Sequence, residues 1–217
     1  MTVLTVGLTG GIASGKTLVR GLLAELGCAT FDSDQAARAL VAPGMRALSE
    51  IVQTFGREFV LPDGQLDRLR LARRIFEDAA ARSRLQAILH PRIFELQDRF
   101  LLDCAAGGRH ALAVVDAALM FETGSYKKYA VVVVVRSRPE QQQQRLQDRD
   151  HLSAEEASRR IAAQMPLDQK ASRADLVIDN AGTKEAIAKQ VLEAWFWLLW
   201  RAACSGFHLR KEIAKTC

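Results

Sequence analysis

Only four cysteines occur in the 217 residues, at positions 28, 104, 204 and 217, and no two form a C-x-x-C pair. That spacing excludes a zinc ribbon and a dense disulfide framework, and reduced thiols are expected. Long apolar runs are missing too. Tyr129 to Val135 and Ala194 to Trp200 reach seven residues each, against roughly 20 for a membrane helix, so no membrane partner is expected. The opening MTVLTVGLTGG lacks a basic stretch ahead of a long apolar one; it does not read as a secretory signal, and a cytoplasmic location follows. Aromatic residues are sparse at 6% and do not alternate with the arginines, which argues against a nucleic-acid groove. The N-K-x-D string by which GTPases read guanine is absent, and Asp179-Asn180-Ala181-Gly182 mimics D-x-x-G only after the last predicted strand.

What is present is an ordinary globular balance of 49% hydrophobic and 25% charged residues, enough for one domain with room for an insertion. The net charge of +5 favours an anionic partner: nucleic acid, a membrane surface or a phosphorylated small molecule. Charge alone does not choose among them.

The apolar run Val3 to Leu8 meets glycines at 10 and 11, and from Thr17 the residues Val19, Leu22, Leu23 and Leu26 fall on one helical face. Gly27 ends that helix, Cys28 to Phe31 reads as a second strand, and Asp32, Ser33 and Asp34 offer caps to a helix through Leu40. From Met45 to Gly107 the pattern is mostly helical, with a break expected at His90-Pro91. His110 to Asp116 and Ala130 to Val135 are continuous and rich in valine, as in parallel strands covered on both faces. Leu176 to Ile178 is a weaker fifth strand. Pro139 to Arg173 is polar and helical, suiting a mobile or ligand-facing segment. Ile187, Val191, Trp195 and Leu199 then repeat every fourth residue in a terminal helix, whose three tryptophans read as packing residues. The tail after Cys204, with Arg210, Lys211 and Lys215, reads as frayed and solvated.

The string Gly10-Gly11-Ile12-Ala13-Ser14-Gly15-Lys16-Thr17 satisfies G-x-x-x-x-G-K-[ST] between a strand and a helix, as a phosphate-binding loop requires. Its amides and the helix N-terminus can converge on phosphate oxygens, Lys16 can bridge the β and γ phosphates, and the Thr17 hydroxyl can coordinate Mg²⁺. A bound nucleoside triphosphate is the expectation. Asp32 and Asp34 fall at the carboxyl end of the second strand, where a carboxylate can accept the proton of an attacking hydroxyl, orient it, or hold Mg²⁺ through water. Capping is the alternative use, and it needs only one of Asp32, Ser33 and Asp34. Asp116 ends the third strand and suits the metal or its water shell, though it too can cap a loop. Arg145 and Arg149 lie four apart on one helical face, within reach of one anion; solvation is the alternative for each, as for Arg159 and Arg160.

With these residues the sequence resembles the dephospho-coenzyme A kinase family. The likeness runs from Leu8-Thr9-Gly10 through Lys16, then Asp32-Ser33-Asp34 with Arg38, His90-Pro91, and Asp116-Ala117-Ala118-Leu119-Met120-Phe121-Glu122. It continues through Glu140-x-Gln142-x-x-Arg145-Leu146-x-x-Arg149-Asp150, Gln164, Ala174-Asp175 and Asp179-Asn180. The resemblance implies transfer of the γ-phosphoryl of ATP to the ribose 3′-hydroxyl of dephospho-CoA. It implies Asp34 as base, Lys16 and Thr17 on phosphate and Mg²⁺, and Arg145 in a closing lid with Arg149 beside it. Asn180 and its loop flank adenine on this reading, while Thr9, Asp32, Asp34, Arg38, His90 and Leu119 face the acceptor; His90 serves equally as a helix-boundary residue.

Two residues depart from the family pattern. Ala13 replaces a usual glycine, compatible if its φ stays negative, and Ala118 replaces a usual proline. The expected fold is α/β with three layers and a five-stranded parallel sheet. Its core covers about 1–33, 109–137 and 174–203, a helical insertion about 34–108, and a lid about 138–173. A monomer or weak homo-oligomer is expected. The rivals are a shikimate-type or nucleoside-type kinase, and, from another class, a nucleic-acid-dependent ATPase.

Overall fold

The structure is a computed structural model that describes residues 3–213, with side chains described from residue 3 to residue 204. The expectation for Arg210, Lys211 and Lys215 therefore lies outside the described side chains. In chain order the elements are β1 (Leu4–Gly10), α1 (Lys16–Glu25), β2 (Ala29–Asp32), α2 (Ser33–Leu40), α3 (Arg46–Phe55), α4 (Arg68–Glu77) and α5 (Ala79–Gly107). They continue with β3 (Leu112–Asp116), β4 (Val131–Arg136), α6 (Pro139–Asp150), α7 (Ala154–Ala162), α8 (Leu167–Ala171), β5 (Leu176–Asp179) and α9 (Lys184–Ile213). The chain divides into two compact units, one of Met1–Phe31 with Leu101–Cys217 and one of Asp32–Phe100. The second unit ends inside α5, which spans Ala79–Gly107, whereas the insertion expected from the sequence covers about 34–108.

In the first unit the strand order is β2-β3-β1-β4-β5. β1 pairs in parallel with β3 and β4, and β4 in parallel with β5. Val131 to Val135 are all buried, as are Leu112 to Val115, so helices cover the five-stranded parallel sheet on both faces and three layers result. Each such valine or leucine contributes about 1.5–3 kcal/mol when removed from water. Register aligns Leu8 with Asp116, Gly10 with Val135 and Arg136 with Asp179. Consequently the loops after β1, β3, β4 and β5 all leave from one edge, the carboxyl edge where ligands of open α/β sheets bind.

The terminal helix turns a different face inward from the one its fourfold spacing suggests. Among its described side chains Ile187, Val191, Ala194 and Leu198 are buried, a stripe that takes a step of three between two steps of four. A strict repeat of four drifts around a helix of 3.6 residues per turn, so Trp195 and Leu199 pack only at the margin of the core. Trp200 is 60% exposed, which corrects its expected packing role.

In the second unit Val41, Ile51, Phe59, Leu71 and Leu85 form a separate core. Pro91 does not break the chain, contrary to expectation; it lies inside α5, which continues on both sides of it. Proline supplies no N–H and crowds the preceding turn. The next residue, Arg92, donates through its guanidinium to the Ile88 carbonyl and, at 2.7 Å, to Glu50.

Candidate functional site

β1 delivers the chain to a tight loop. The Ser14 N–H donates to the Gly11 carbonyl at 3.2 Å, Gly15 caps α1 with φ 95°, and Ala13 has φ 56°. The condition attached to Ala13 thus fails: its backbone is left-handed, a conformation that costs a residue with a Cβ about 1–2 kcal/mol. Within the curled loop Gly10, Gly11 and Ser14 are buried, Lys16 is half-buried, and Thr17 is exposed in the first turn of α1.

Side chains from α6 and from the end of β5 hold this loop by its carbonyls. Gln142 Nε2 donates to the Ile12 carbonyl at 2.6 Å, Arg145 Nη1 to Ala13 at 3.2 Å, and Asn180 Nδ2 to Ser14 at 2.7 Å. Gln164, just beyond α7, accepts from the Ile12 N–H at 2.7 Å. Arg145 also donates to the Asn180 carbonyl at 3.2 Å. Asn180 is buried beneath the loop with its amide on the Ser14 carbonyl, so its side chain is engaged by the loop itself. Arg149 is not on the loop; its guanidinium bonds to Asp150 at 2.8 and 2.9 Å, and the two arginines thus meet different partners.

The turn after β3 is fixed from below. Ala118 stands where the resemblance implies proline, and its carbonyl accepts from Thr9 Oγ1 at 3.3 Å and from Lys170 Nζ at 2.9 Å. Two side chains thus do the fixing that a proline ring would do. Thr9 is fully buried, which puts its hydroxyl under the loop and not at an acceptor-facing surface. Leu119 is half-buried in the same turn. Asp116 is buried and lies 3.4 Å from Arg20 Nε on α1.

Lys170 lies in the segment expected from the sequence to be mobile or ligand-facing, and the structure buries it instead. It is fully buried, with Nζ 2.8 Å from Glu122 Oε1 and 3.5 Å from the Gly10 carbonyl. Burial pulls its ammonium below the ordinary lysine range and Lys16 adds repulsion, while Glu122 acts in the opposite direction. Glu122 also accepts from the Met165 N–H at 3.0 Å. Gln142 was legible in principle, since it lies three residues before Arg145 on the same helical face. Gln164 stands among the residues of the family likeness, but its contact with Ile12 is not marked there, and nothing in the string marks Lys170, because the partners are distant main-chain atoms.

The remaining candidates belong to the second unit. Asp32 is the N-cap of α2 and accepts from the Gln35 N–H at 2.9 Å, and Ser33 accepts from Gln97 at 2.9 Å. Capping thus falls to Asp32, and Asp34 stands exposed in the first turn. Arg38 and Arg68 line a cleft of about 180 Å³ whose walls are otherwise aliphatic, among them Val41, Ile51 and Leu85. His90 is half-buried, its ring 5.7 Å from that of Phe94, and burial lowers its pKa below the usual imidazole value.

Comparison with known proteins adds an independent line. The sequence profile of dephospho-CoA kinase matches residues 4–185. A dephospho-CoA kinase of Anaeromyxobacter dehalogenans is 47% identical over 183 residues, covering 84% of this chain and 86% of that protein. The crystal structure of TT1252 from Thermus thermophilus superposes with a TM-score of 0.76 at 31% identity, covering 89% of this chain and 96% of the other. The dephospho-CoA kinase from Campylobacter jejuni, at 24% identity, shares the fold with a TM-score of 0.62 over 88% of this chain and 94% of its own. Loop, sheet edge and sequence agree: this chain belongs to the dephospho-CoA kinase family, P-loop kinases that use ATP to phosphorylate the 3′-hydroxyl of dephospho-CoA and so make coenzyme A.

Proposed function

We propose that this chain transfers the γ-phosphoryl of ATP to the ribose 3′-hydroxyl of dephospho-CoA, with Lys16 drawing the β and γ phosphates together and Asp34 accepting the hydroxyl proton. The observation that carries the reading is the phosphate loop of Gly10 to Thr17, curled at the carboxyl edge of the sheet. Ser14 Oγ is buried with no partner among the described residues, an orphan that a phosphate oxygen would satisfy. Phosphoryl transfer asks for positioning and charge neutralisation more than covalent chemistry. In balance, the acceptor oxygen bonds to phosphorus, the bond to the ADP oxygen breaks, and the proton leaves with the Asp34 carboxylate.

The donors present suit Mg²⁺ that arrives with its nucleotide. Among the described residues no three His, Cys, Asp or Glu side chains gather as a metal cage, and Mg²⁺ in such sites takes one or two protein ligands and keeps several waters. The Thr17 hydroxyl would be one ligand, and Asp116, with Arg20 beside it, would act through the water shell. When bound, the ion would neutralise charge on the β and γ oxygens. Arg145, now on the Ala13 carbonyl, would turn its guanidinium to the γ-phosphate from a lid of residues 138–173, with Arg149 beside it. Arg38, His90, Leu119 and Asp32 would face the acceptor, and the arginine-lined aliphatic cleft suits a phosphorylated acceptor with an extended arm. No described helix is long and apolar enough to cross a membrane. The reading carries with it a cytoplasmic monomer or weak homo-oligomer. The test is incubation of purified protein with ATP, Mg²⁺ and dephospho-CoA, followed by mass measurement of the product. Coenzyme A is expected; turnover of another alcohol with none of dephospho-CoA would overturn the reading.

A further inference from the structure

Ile12 is held by two glutamines through successive peptide planes. Its N–H donates to Gln164 Oε1 at 2.7 Å and its carbonyl accepts from Gln142 Nε2 at 2.6 Å. A trans peptide is planar, with C=O and N–H pointing opposite ways. Drawing the Ile12 carbonyl toward Gln142 therefore faces the Ala13 N–H to the other side. Asn180 does the same one turn on: its bond to the Ser14 carbonyl turns the Gly15 N–H away from it. Between these planes sits Ala13 at φ 56°, and a strained residue persists only where its surroundings over-determine it.

The glycines of the loop make the clamp possible. A Cβ on Gly11 would lie 2.5 Å from Gln142 Nε2, and one on Gly15 would lie 1.7 Å from Asn180 Nδ2. A methyl group at either site would eject the side chain that orients the loop. Part of the glycine requirement here comes from room for the clamping amides, in addition to room for phosphate.

We infer that Gln142 and Gln164 are positioning residues for ATP: by fixing the two peptide planes around Ile12 they aim the amides of the phosphate loop before the nucleotide arrives. The polarity of each bond is forced, because a backbone N–H only donates and a carbonyl only accepts. Gln164 must accept and Gln142 must donate.

The inference rests on the reading that this loop binds ATP, and the test separates the two. ATP affinity is titrated calorimetrically with Mg²⁺ and no acceptor, and steady-state kinetics are run alongside for wild type, Gln142→Leu, Gln164→Leu, Gln142→Glu and Gln164→Glu. Each leucine variant should weaken ATP binding and raise KM for ATP roughly tenfold, the size of one buried hydrogen bond left unmade. KM for dephospho-CoA should change by less than about twofold, an asymmetry that general destabilisation would not produce. The glutamate pair decides the mechanism, since both add the same charge near the triphosphate. Gln164→Glu can still accept from Ile12 and should bind ATP at least about fivefold more tightly than Gln142→Glu, whose carboxylate faces the Ile12 carbonyl. Circular dichroism confirms folding of each protein. ATP affinities within twofold of wild type for both leucine variants, or equal affinities for the two glutamate variants, would overturn the inference. Wild type that binds ATP but leaves dephospho-CoA untouched would overturn only the acceptor assignment.

Discussion

The guanidinium of Arg145 donates to the carbonyl of Ala13 at 3.2 Å, and Ala13 is the loop residue that holds a left-handed backbone. Ala13→Gly relieves a cost of about 1–2 kcal/mol and adds roughly 0.5–1 kcal/mol of unfolded-state entropy to be lost on folding. The expected net effect is a gain of about 0.5 kcal/mol, read from urea denaturation midpoints. A loss of 1 kcal/mol or more would mean that the loop is not left-handed in solution.

Asp34 and Lys16 separate chemistry from binding. Asp34→Asn should lower kcat by a factor on the order of 10² to 10⁴ while ATP affinity stays near wild type. Lys16→Ala should weaken both ATP binding and turnover. An unchanged kcat in the first variant would remove Asp34 as the base, and full activity in the second would remove the phosphate-gripping role of the loop.

Arg145 meets two carbonyls, of Ala13 and Asn180, through two separate nitrogens. A lysine has one nitrogen and no planar fork. Arg145→Lys should therefore recover only part of the activity lost in Arg145→Ala, for which a fall on the order of 10³ in kcat is expected if the side chain reaches the transferring phosphoryl group. Full activity in the lysine variant would assign the residue a simple charge role.

Lys170 and Glu122 form a pair in which the cation is fully buried and the carboxylate side chain is 24% exposed. Removing the carboxylate charge strands an ammonium without a counter-ion, so Glu122→Gln should cost about 3 kcal/mol. Lys170→Met leaves a carboxylate that water and the Met165 N–H can still serve, and should cost about 1–2 kcal/mol for the hydrogen bonds lost at the carbonyls of Ala118 and Gly10, the first of which keeps Thr9 as donor. Denaturation of both single variants and the double variant checks the order; equal costs, or additivity in the double variant, would contradict it.

Burial of His90 gives the fold a pH dependence of definite sign. Its folded pKa is lowered from 6.5, so between that depressed value and about 6.5 the unfolded chain binds more protons than the folded one. Stability therefore rises with pH through this window and is lost as pH falls through it. His90→Gln should lose less stability than wild type between about pH 7.5 and pH 5.5 in urea titrations. Parallel losses would place the imidazole in open solvent.

Much of this arrangement could be read before the coordinates. The phosphate loop, the valine-rich strands and the acidic cap of α2 announce themselves through local rules of periodicity, capping and glycine placement. Local rules fail where a distant partner decides. Pro91 reads as a break, yet α5 continues on both sides of it. The inward face of α9 depends on a sheet far off in sequence, and a fourfold count misplaces it. The contacts of Gln142 and Lys170 leave no local sign because their partners, the carbonyls of Ile12 and Gly10, lie 130 and 160 residues away.

The sheet carries its phosphate loop on β1, its middle strand, and closes at either side with β2 and β5, each four residues long. Unpaired strand rims invite a neighbouring molecule to add on, and the invitation grows with their length. Rims this brief offer little purchase for such stacking, and the loop that handles the nucleotide stands as far from them as the architecture allows.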